Sequence, residues 1–134
     1  MSSLDVEILD AELASGRSDL PETAEIERLV CLAIATAGVR DGHLAVAFVD
    51  AEHIARLNYE HRGKEGPTDV LSFPIDEADA DVPGPRELGD IVICPEHTAD
   101  IREAIVHGAL HLVGMDHEVD EGEMLAVQAE LLTW

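Results

Sequence analysis

The chain has 134 residues, which is enough for one domain with a hydrophobic core and too few for two. Its 29 Asp and Glu residues against 8 Lys and Arg residues give a formal charge of −21. Such a charge repels phosphates and anionic lipid at long range, so it excludes a generic basic nucleic-acid-binding surface, with DNA as a partner, and a membrane-surface role. Hydrophobic residues form 46% of the chain and come in periodic blocks, which indicates one folded domain over residues 1–134.

Cysteine usage and the N-terminus indicate the compartment. Cys31 and Cys94 lie far apart in apolar surroundings, which fits neither a CxxC site nor a disulfide framework, so we expect buried free thiols in a reducing environment. The N-terminal segment is acidic where a signal peptide is basic, and no apolar run reaches the roughly 18 residues of a membrane span. We therefore expect a soluble, cytoplasmic protein.

The first half of the chain carries two strand patterns and two helix patterns. Apolar residues recur at helical spacing until Gly38, and they alternate with small residues just before Asp50. Asp50 is placed to cap the second helix and Gly63 to end it. The predicted elements are a strand over 3–9, a helix from about 21 to 37, a strand over 43–50 and a helix from 51 to about 61.

The second half begins as a loop and ends in helices. The predicted elements are a strand over 69–73, a solvated acidic loop over 76–87, a strand over 88–94, a helix from about 98 to 113 and a last helix from about 120 to 132. Strands and helices are mixed without regular alternation. The predicted class is therefore α+β, a small mixed sheet of about four strands with packed helices.

The segment HGALHLVGMDH, residues 107–117, predicts a metal site on a helix plus the following turn. His107 and His111 are four residues apart, so their Cβ atoms lie about 6 Å apart on one helix face. Gly114 allows the turn that brings His117 in as a third ligand. Three neutral imidazoles and a water are the open, catalytic arrangement for zinc.

Two other interpretations of this segment are weaker. Seven histidines and ten glycines would fall in this spacing by chance on the order of once per thousand such chains, which argues against unrelated surface histidines. Metzincin proteases share the spacing, but their general base is a glutamate where this chain has Gly108. The remaining histidines have no partner at ligand spacing, and we expect them to be solvated or core residues: His43, His53, His61 and His97.

The segment also resembles the HGxLHLxGxDH signature of the YbeY endoribonucleases, with each histidine, both glycines and Asp116 matched. Two further stretches are similar to that family in the same order. They are LNYEHRGKEGPTDVLSFP, residues 57–74, and LGDIVIC, residues 88–94. The three stretches cover 36 of the 134 residues. The connection that follows the last of them, 95–100, is shorter than is usual in the family.

The resemblance implies both a function and partners. It implies an α+β fold with one divalent metal ion, zinc being the expected one, on His107, His111 and His117. It implies cleavage of single-stranded RNA in late small-subunit (16S) rRNA maturation and ribosome quality control. The implied partners are the rRNA precursor, the small ribosomal subunit and assembly proteins such as an Era-type GTPase. The family's important arginine falls on Arg62.

Arg62 and Lys64 also form the only local pair of basic residues in the sequence. A planar guanidinium can bind two non-bridging oxygens of a phosphodiester while negative charge develops there, so we predict that Arg62 is catalytic and that both residues bind substrate. The alternative is an ordinary surface ion pair of Arg62 with Glu60 or Glu65. Thr68, Asp69 and Asp90 lie in matched stretches, and we expect structural roles for Asp69 and Asp90, which precede apolar strand residues.

The expected chemistry is attack on phosphorus by a water that the metal activates, with Arg62 stabilising the charge. Two interpretations stay open beside it, because a metal site alone does not select the substrate. One is a zinc-dependent hydrolase of another substrate, and the other is a non-catalytic ribosome-assembly factor with a structural metal. The acidic composition with a single lysine also suits a protein kept soluble in high salt, where screening hides repulsion from RNA.

Overall fold

The computed structural model describes residues 3–14, 16–18, 20–39, 41–74, 87–113 and 123–133. Within these ranges, four strands and four helices, with two short 3-10 helices, confirm the predicted α+β class. In chain order these elements are β1 (Ser3–Leu9), a 3-10 helix (Ala11–Ala14), α1 (Thr23–Ala35), β2 (Asp41–Phe48), α2 (Ala51–Arg62), β3 (Val70–Pro74), β4 (Glu87–Ile93), a 3-10 helix (Pro95–His97), α3 (Ile101–Leu112) and α4 (Glu123–Leu131).

The four strands form one mixed sheet in the order β1-β2-β4-β3. β1, β2 and β4 are parallel to one another, and β3 is antiparallel to β4. Parallel neighbours need a crossover connection, which α1 provides between β1 and β2. This order places β3 at one edge of the sheet, where helices on both faces can reach it.

Each face of the sheet has its own hydrophobic core, because successive side chains of a strand point to opposite faces. Ile91 and Ile93 of β4 belong to the main core, which packs against α1 and α3. Val92, between them, belongs to a smaller core that includes Ile54 of α2 and Leu71 of β3. Helix α2 therefore lies on the face opposite α1 and α3.

The predicted ends of α2 are confirmed. The Asp50 carboxylate accepts a hydrogen bond from the His53 backbone N–H at 2.8 Å, which satisfies an otherwise unpaired amide of the first turn. Gly63 follows the helix with φ 67°, a left-handed conformation that favours glycine, and its N–H donates to the Tyr59 carbonyl. The helix thus stops directly after Arg62.

Helix α3 begins at Ile101, three residues after the predicted start at about residue 98. Asp100 is its cap, with a carboxylate that accepts from the Glu103 N–H at 3.2 Å. Thr98 is buried instead, and its hydroxyl donates to the Cys94 carbonyl at 2.7 Å. This local bond competes with helix formation. The other predicted elements are present in the described ranges, with ends within a few residues of those expected. Residues 76–86 of the predicted acidic loop and the predicted start of the last helix near residue 120 lie outside the described residues.

Arg17 holds the short connection between β4 and α3. Its guanidinium donates to the carbonyl oxygen of Pro95 at 2.7 Å and to that of Ala99 at 3.0 Å, and it also bonds the Thr98 carbonyl. One of the few cations of the chain is therefore used to fix backbone. A side chain from a distant part of the chain thus fixes this short connection.

Both cysteines are free, as predicted, but only Cys94 is fully buried, while Cys31 is partly exposed. Burial raises the pKa of the Cys94 thiol. No helix in the described ranges is long and apolar enough to cross a lipid bilayer.

Candidate active site

A cavity of about 780 Å³ lies along the edge strand β3. The end of α2 reaches it from one face of the sheet and α3 from the other. Its described lining combines imidazole, guanidinium, hydroxyl and carboxylate groups on an apolar strand. The lining residues are His61, Arg62, Thr68, Asp69, Val70, Leu71, Ser72, Phe73, Pro74, His107 and His111.

His107 and His111 lie together in this cavity, as their spacing on one helix face predicts. Their ring centroids are 4.7 Å apart with an interplanar angle of 71°, and both side chains are partly exposed. The third predicted ligand, His117, lies outside the described residues. Within the described ranges, no group of three His, Cys, Asp or Glu side chains could hold a metal ion. The structure therefore places two of the three predicted ligands side by side.

The ring of His107 is oriented by a residue that the sequence analysis missed. The Nδ1 atom of His107 is 2.8 Å from Oε1 of Gln128 on α4. With the amide oxygen facing it as an acceptor, Nδ1 would carry the proton and, in the neutral ring, the lone pair would be on Nε2. A metal ion binds the ring nitrogen that has the lone pair, so a His107 ring in this tautomer fits a divalent cation such as zinc.

The position of α3 against the sheet depends on Gly108. A Cβ atom at this residue would lie 2.6 Å from Cγ2 of Ile91 and 3.1 Å from Cγ2 of Val70. The Ser72 hydroxyl donates to the Gly108 carbonyl at 2.7 Å, which ties β3 to the helix. The helix therefore approaches the sheet closely, and this contact places His107 and His111 over β3. Gly108, which allows the approach, is at the position where a metzincin has its glutamate.

Arg62 reaches the same cavity from the end of α2. It makes no ion pair with Glu60 or Glu65, both of which are described, so the surface-pair alternative is not supported. The loop after it is tied back to the helix, because the Asn58 amide donates to the Gly66 carbonyl at 2.9 Å. Lys64, the other predicted substrate-binding residue, is exposed and is not part of the cavity wall.

The cavity also contains groups that the sequence analysis assigned elsewhere. His61 was expected to lie outside the site, but it lines the cavity with its ring centroid 4.7 Å from that of Phe73 in an edge-on contact. Thr68 and Asp69 line it too, and the Asp69 carboxylate accepts a bond from the Val70 N–H at 2.8 Å, in keeping with a structural role. The position of His61 beside Arg62 in the last turn of α2 is the signal that could have found it.

Comparison with known proteins gives the family. A family model described as Endoribonuclease YbeY matches residues 22–133. An Endoribonuclease YbeY from Bacillus licheniformis is 38% identical, over 93% of this chain and 92% of its own. One from Rubrobacter xylanophilus is 41% identical, over 95% of this chain and 93% of its own. A solution structure of a Thermotoga maritima protein matches with a TM-score of 0.50 and 26% identity, over 95% of this chain and 86% of that one.

Proposed function

The chain belongs to the YbeY endoribonuclease family, and from this we propose a metal-dependent enzyme that cleaves single-stranded RNA in late 16S rRNA maturation and ribosome quality control. One observation carries the proposal. Arg62 from α2 and the pair His107 and His111 from α3 line the same cavity, although they come from opposite faces of the sheet. A phosphate-binding cation and two potential metal ligands are thus within reach of one substrate.

Arg62 binds the scissile phosphate in this proposal. A guanidinium is always charged and presents paired N–H donors that match two non-bridging oxygens. Negative charge on those oxygens increases as water attacks phosphorus, so the interaction is stronger in the transition state than in the bound substrate. The left-handed turn at Gly63 and the Asn58 bond to the following loop hold Arg62 in place.

His107 and His111 would hold the metal ion, with His117 as the expected third ligand. Neutral imidazoles suit zinc. A hydrogen bond from His107 Nδ1–H to Gln128 Oε1 would leave Nε2 of His107 with the lone pair that a metal ion binds. A divalent ion bound there supplies Lewis acidity for the attack of water on the phosphodiester. The Ser72 hydroxyl donates to the Gly108 carbonyl, which is not a base that could activate it as a nucleophile.

The charge of the cavity supports metal dependence. Among the described lining residues, only Arg62 and Asp69 carry a charge when the histidines are neutral, and these two charges cancel. A phosphodiester would therefore meet no net positive charge, in a protein whose formal charge is −21. A divalent cation would change that balance locally, and the surfaces of the small ribosomal subunit and of assembly proteins such as an Era-type GTPase would supply the remaining recognition.

The test combines bound metal and RNA cleavage. We expect His111→Ala to lose bound zinc and cleavage together, while His53→Ala removes an exposed imidazole from α2 and changes neither. Arg62→Ala should lower the cleavage rate about 100- to 1,000-fold, as for removal of one charge-stabilising donor, with bound zinc unchanged. Arg56→Ala is its matched control, because it removes the same charge from an exposed position on the same helix away from the cavity.

Chelation separates this function from its alternatives. Loss of cleavage with the fold intact supports a catalytic metal, whereas global unfolding with no cleavage to lose supports an assembly factor with a structural metal. A chain that binds zinc but cleaves only esters or amides would be a hydrolase of another substrate. Full RNA cleavage by Arg62→Ala would remove Arg62 from the mechanism.

A further inference from the structure

Gln128 is a buried polar residue in a helix that otherwise contributes apolar side chains to the core. It is 7% exposed, and its neighbours Val127, Leu131 and Leu132 pack in or against the main core. A buried carboxamide needs hydrogen-bond partners, since an unpaired one loses its bonds to water and gains none in return. The partner of its Oε1 atom is His107 Nδ1, 2.8 Å away and 21 positions earlier in the chain.

We propose that Gln128 is a positioning residue for metal binding, one that fixes the tautomer and the ring orientation of His107. This proposal rests on the metal site of the proposed function. The amide oxygen holds the proton on Nδ1, so the lone pair stays on Nε2, which is the ring nitrogen farther from the backbone. Because Gln128 is buried, the acceptor is rigid and the imidazole does not have to be reoriented when a cation binds.

A merely structural role predicts something different. If the bond only satisfies a buried amide, its removal lowers stability and leaves the intrinsic metal affinity unchanged. If Gln128 positions the ligand, metal affinity falls even where the fold is intact, and any acceptor at this point restores it. Outer partners of metal-bound histidines are usually carboxylates, carbonyls or water, so a glutamate is the natural replacement.

Three variants separate these roles. Gln128→Leu keeps most of the volume and removes the acceptor. Gln128→Glu keeps an acceptor oxygen in the same place. Leu131→Ala is the stability control, because Leu131 is equally buried on the same helix, contributes to the main core and offers no hydrogen bond.

The first measurement is the tautomer of His107 in the metal-free, full-length wild type, from nitrogen-15 shifts of the imidazole in long-range proton–nitrogen NMR spectra. We expect the proton on Nδ1 in the wild type and in Gln128→Glu, and a change toward the Nε2–H form in Gln128→Leu. A wild-type His107 with its proton on Nε2 would overturn the proposal without any variant.

The second measurement is Zn²⁺ affinity, by competition with a chromophoric chelator. We expect Gln128→Leu to bind Zn²⁺ about 10- to 100-fold more weakly than the wild type, with Gln128→Glu and Leu131→Ala close to the wild type. Equal affinities of wild type and Gln128→Leu, or weak binding by a folded Gln128→Glu, would refute the role. If Gln128→Leu does not fold, the tautomer of His107 in the wild type and the Zn²⁺ affinity of Gln128→Glu still test the role of Gln128. A wild type that binds no Zn²⁺ would instead refute the metal site of the proposed function, while the tautomer still tests the Gln128 contact.

Discussion

Replacing Gly108 with alanine should destabilise the protein, although alanine is the better residue in a helix. In a helix interior with free space, this change gains up to about 1 kcal/mol. Here the new Cβ would lie 2.6 Å from Cγ2 of Ile91. Ile91 is completely buried in β4, and its Cγ2 is fixed on a branched Cβ, so it cannot move aside as the end of a long side chain would.

The magnitude follows from these opposing effects. Overpacking a filled core costs about 1–3 kcal/mol, and a contact this short with a strand side chain belongs in the upper part of that range. Subtracting the helix preference leaves a net loss of about 1–2 kcal/mol. For 134 residues this corresponds to a fall in Tm of about 4–7 °C, which thermal and urea unfolding would both detect.

A second substitution isolates the contact. Ile91→Leu conserves volume but removes the Cγ2 atom, so it should cost less than about 1.5 kcal/mol alone and relieve much of the loss in the double variant. The interaction energy between the two sites should lie between about 0.5 and 3 kcal/mol. Stabilisation by Gly108→Ala, or additive effects in the double variant, would show that the helix does not depend on this contact.

Three further outcomes follow from the charges and thiols. The hydrogen-bonded guanidinium of Arg28 lowers the pKa of the Glu25 carboxyl, so this pair stabilises the fold above about pH 4.3. The contribution is lost as the pH falls through the lower pKa of the folded state. In unfolding curves across that range, Glu25→Gln should reduce stability by a small amount at neutral pH and leave it unchanged at acidic pH. A thiol reagent should label Cys31 in the native protein and Cys94 only after unfolding, as mass spectrometry would show. The affinity for single-stranded RNA should depend weakly on salt, with a log–log slope near −0.7. Each phosphate contact contributes about −0.7, and Arg62 is the one cation among the described lining residues, so Arg62→Ala should remove most of that slope.

The arrangement of the fold could be predicted largely because its signals are local. Apolar alternation defines the strands, and Asp50 and Gly63 define the ends of α2 through contacts within one turn. The offset at Thr98 has the opposite cause. Its hydroxyl bonds the Cys94 carbonyl, and Arg17 fixes the backbone around it from a distant part of the chain. Helical spacing alone contains no information about these hydrogen bonds of Thr98 and Arg17.

The site divides in the same way. The spacing of His107 and His111 on one helix is a local property, and it is enough to predict that the two rings lie together. Gln128 and Ser72 act on α3 from other elements, so their contributions appear only once α4 and β3 are packed against it. His61 was excluded for having no partner in the sequence, whereas its partner, Phe73, is in β3 across the loop.

The net charge of −21 does not exclude an RNA substrate once the positions of the cations are known. Arg28 and Arg102 both lie close to Glu25, and Arg17 is used on backbone carbonyls, so these three cannot form a phosphate-binding surface. Arg62 differs from them, because it lies on the wall of a cavity beside two histidines. Binding driven by overall charge is therefore excluded, while binding of one phosphodiester at a local arginine and metal site is not. In the proposed function, the acidic surface adds selectivity: RNA presented by a ribosomal partner overcomes the repulsion, and free RNA is kept away.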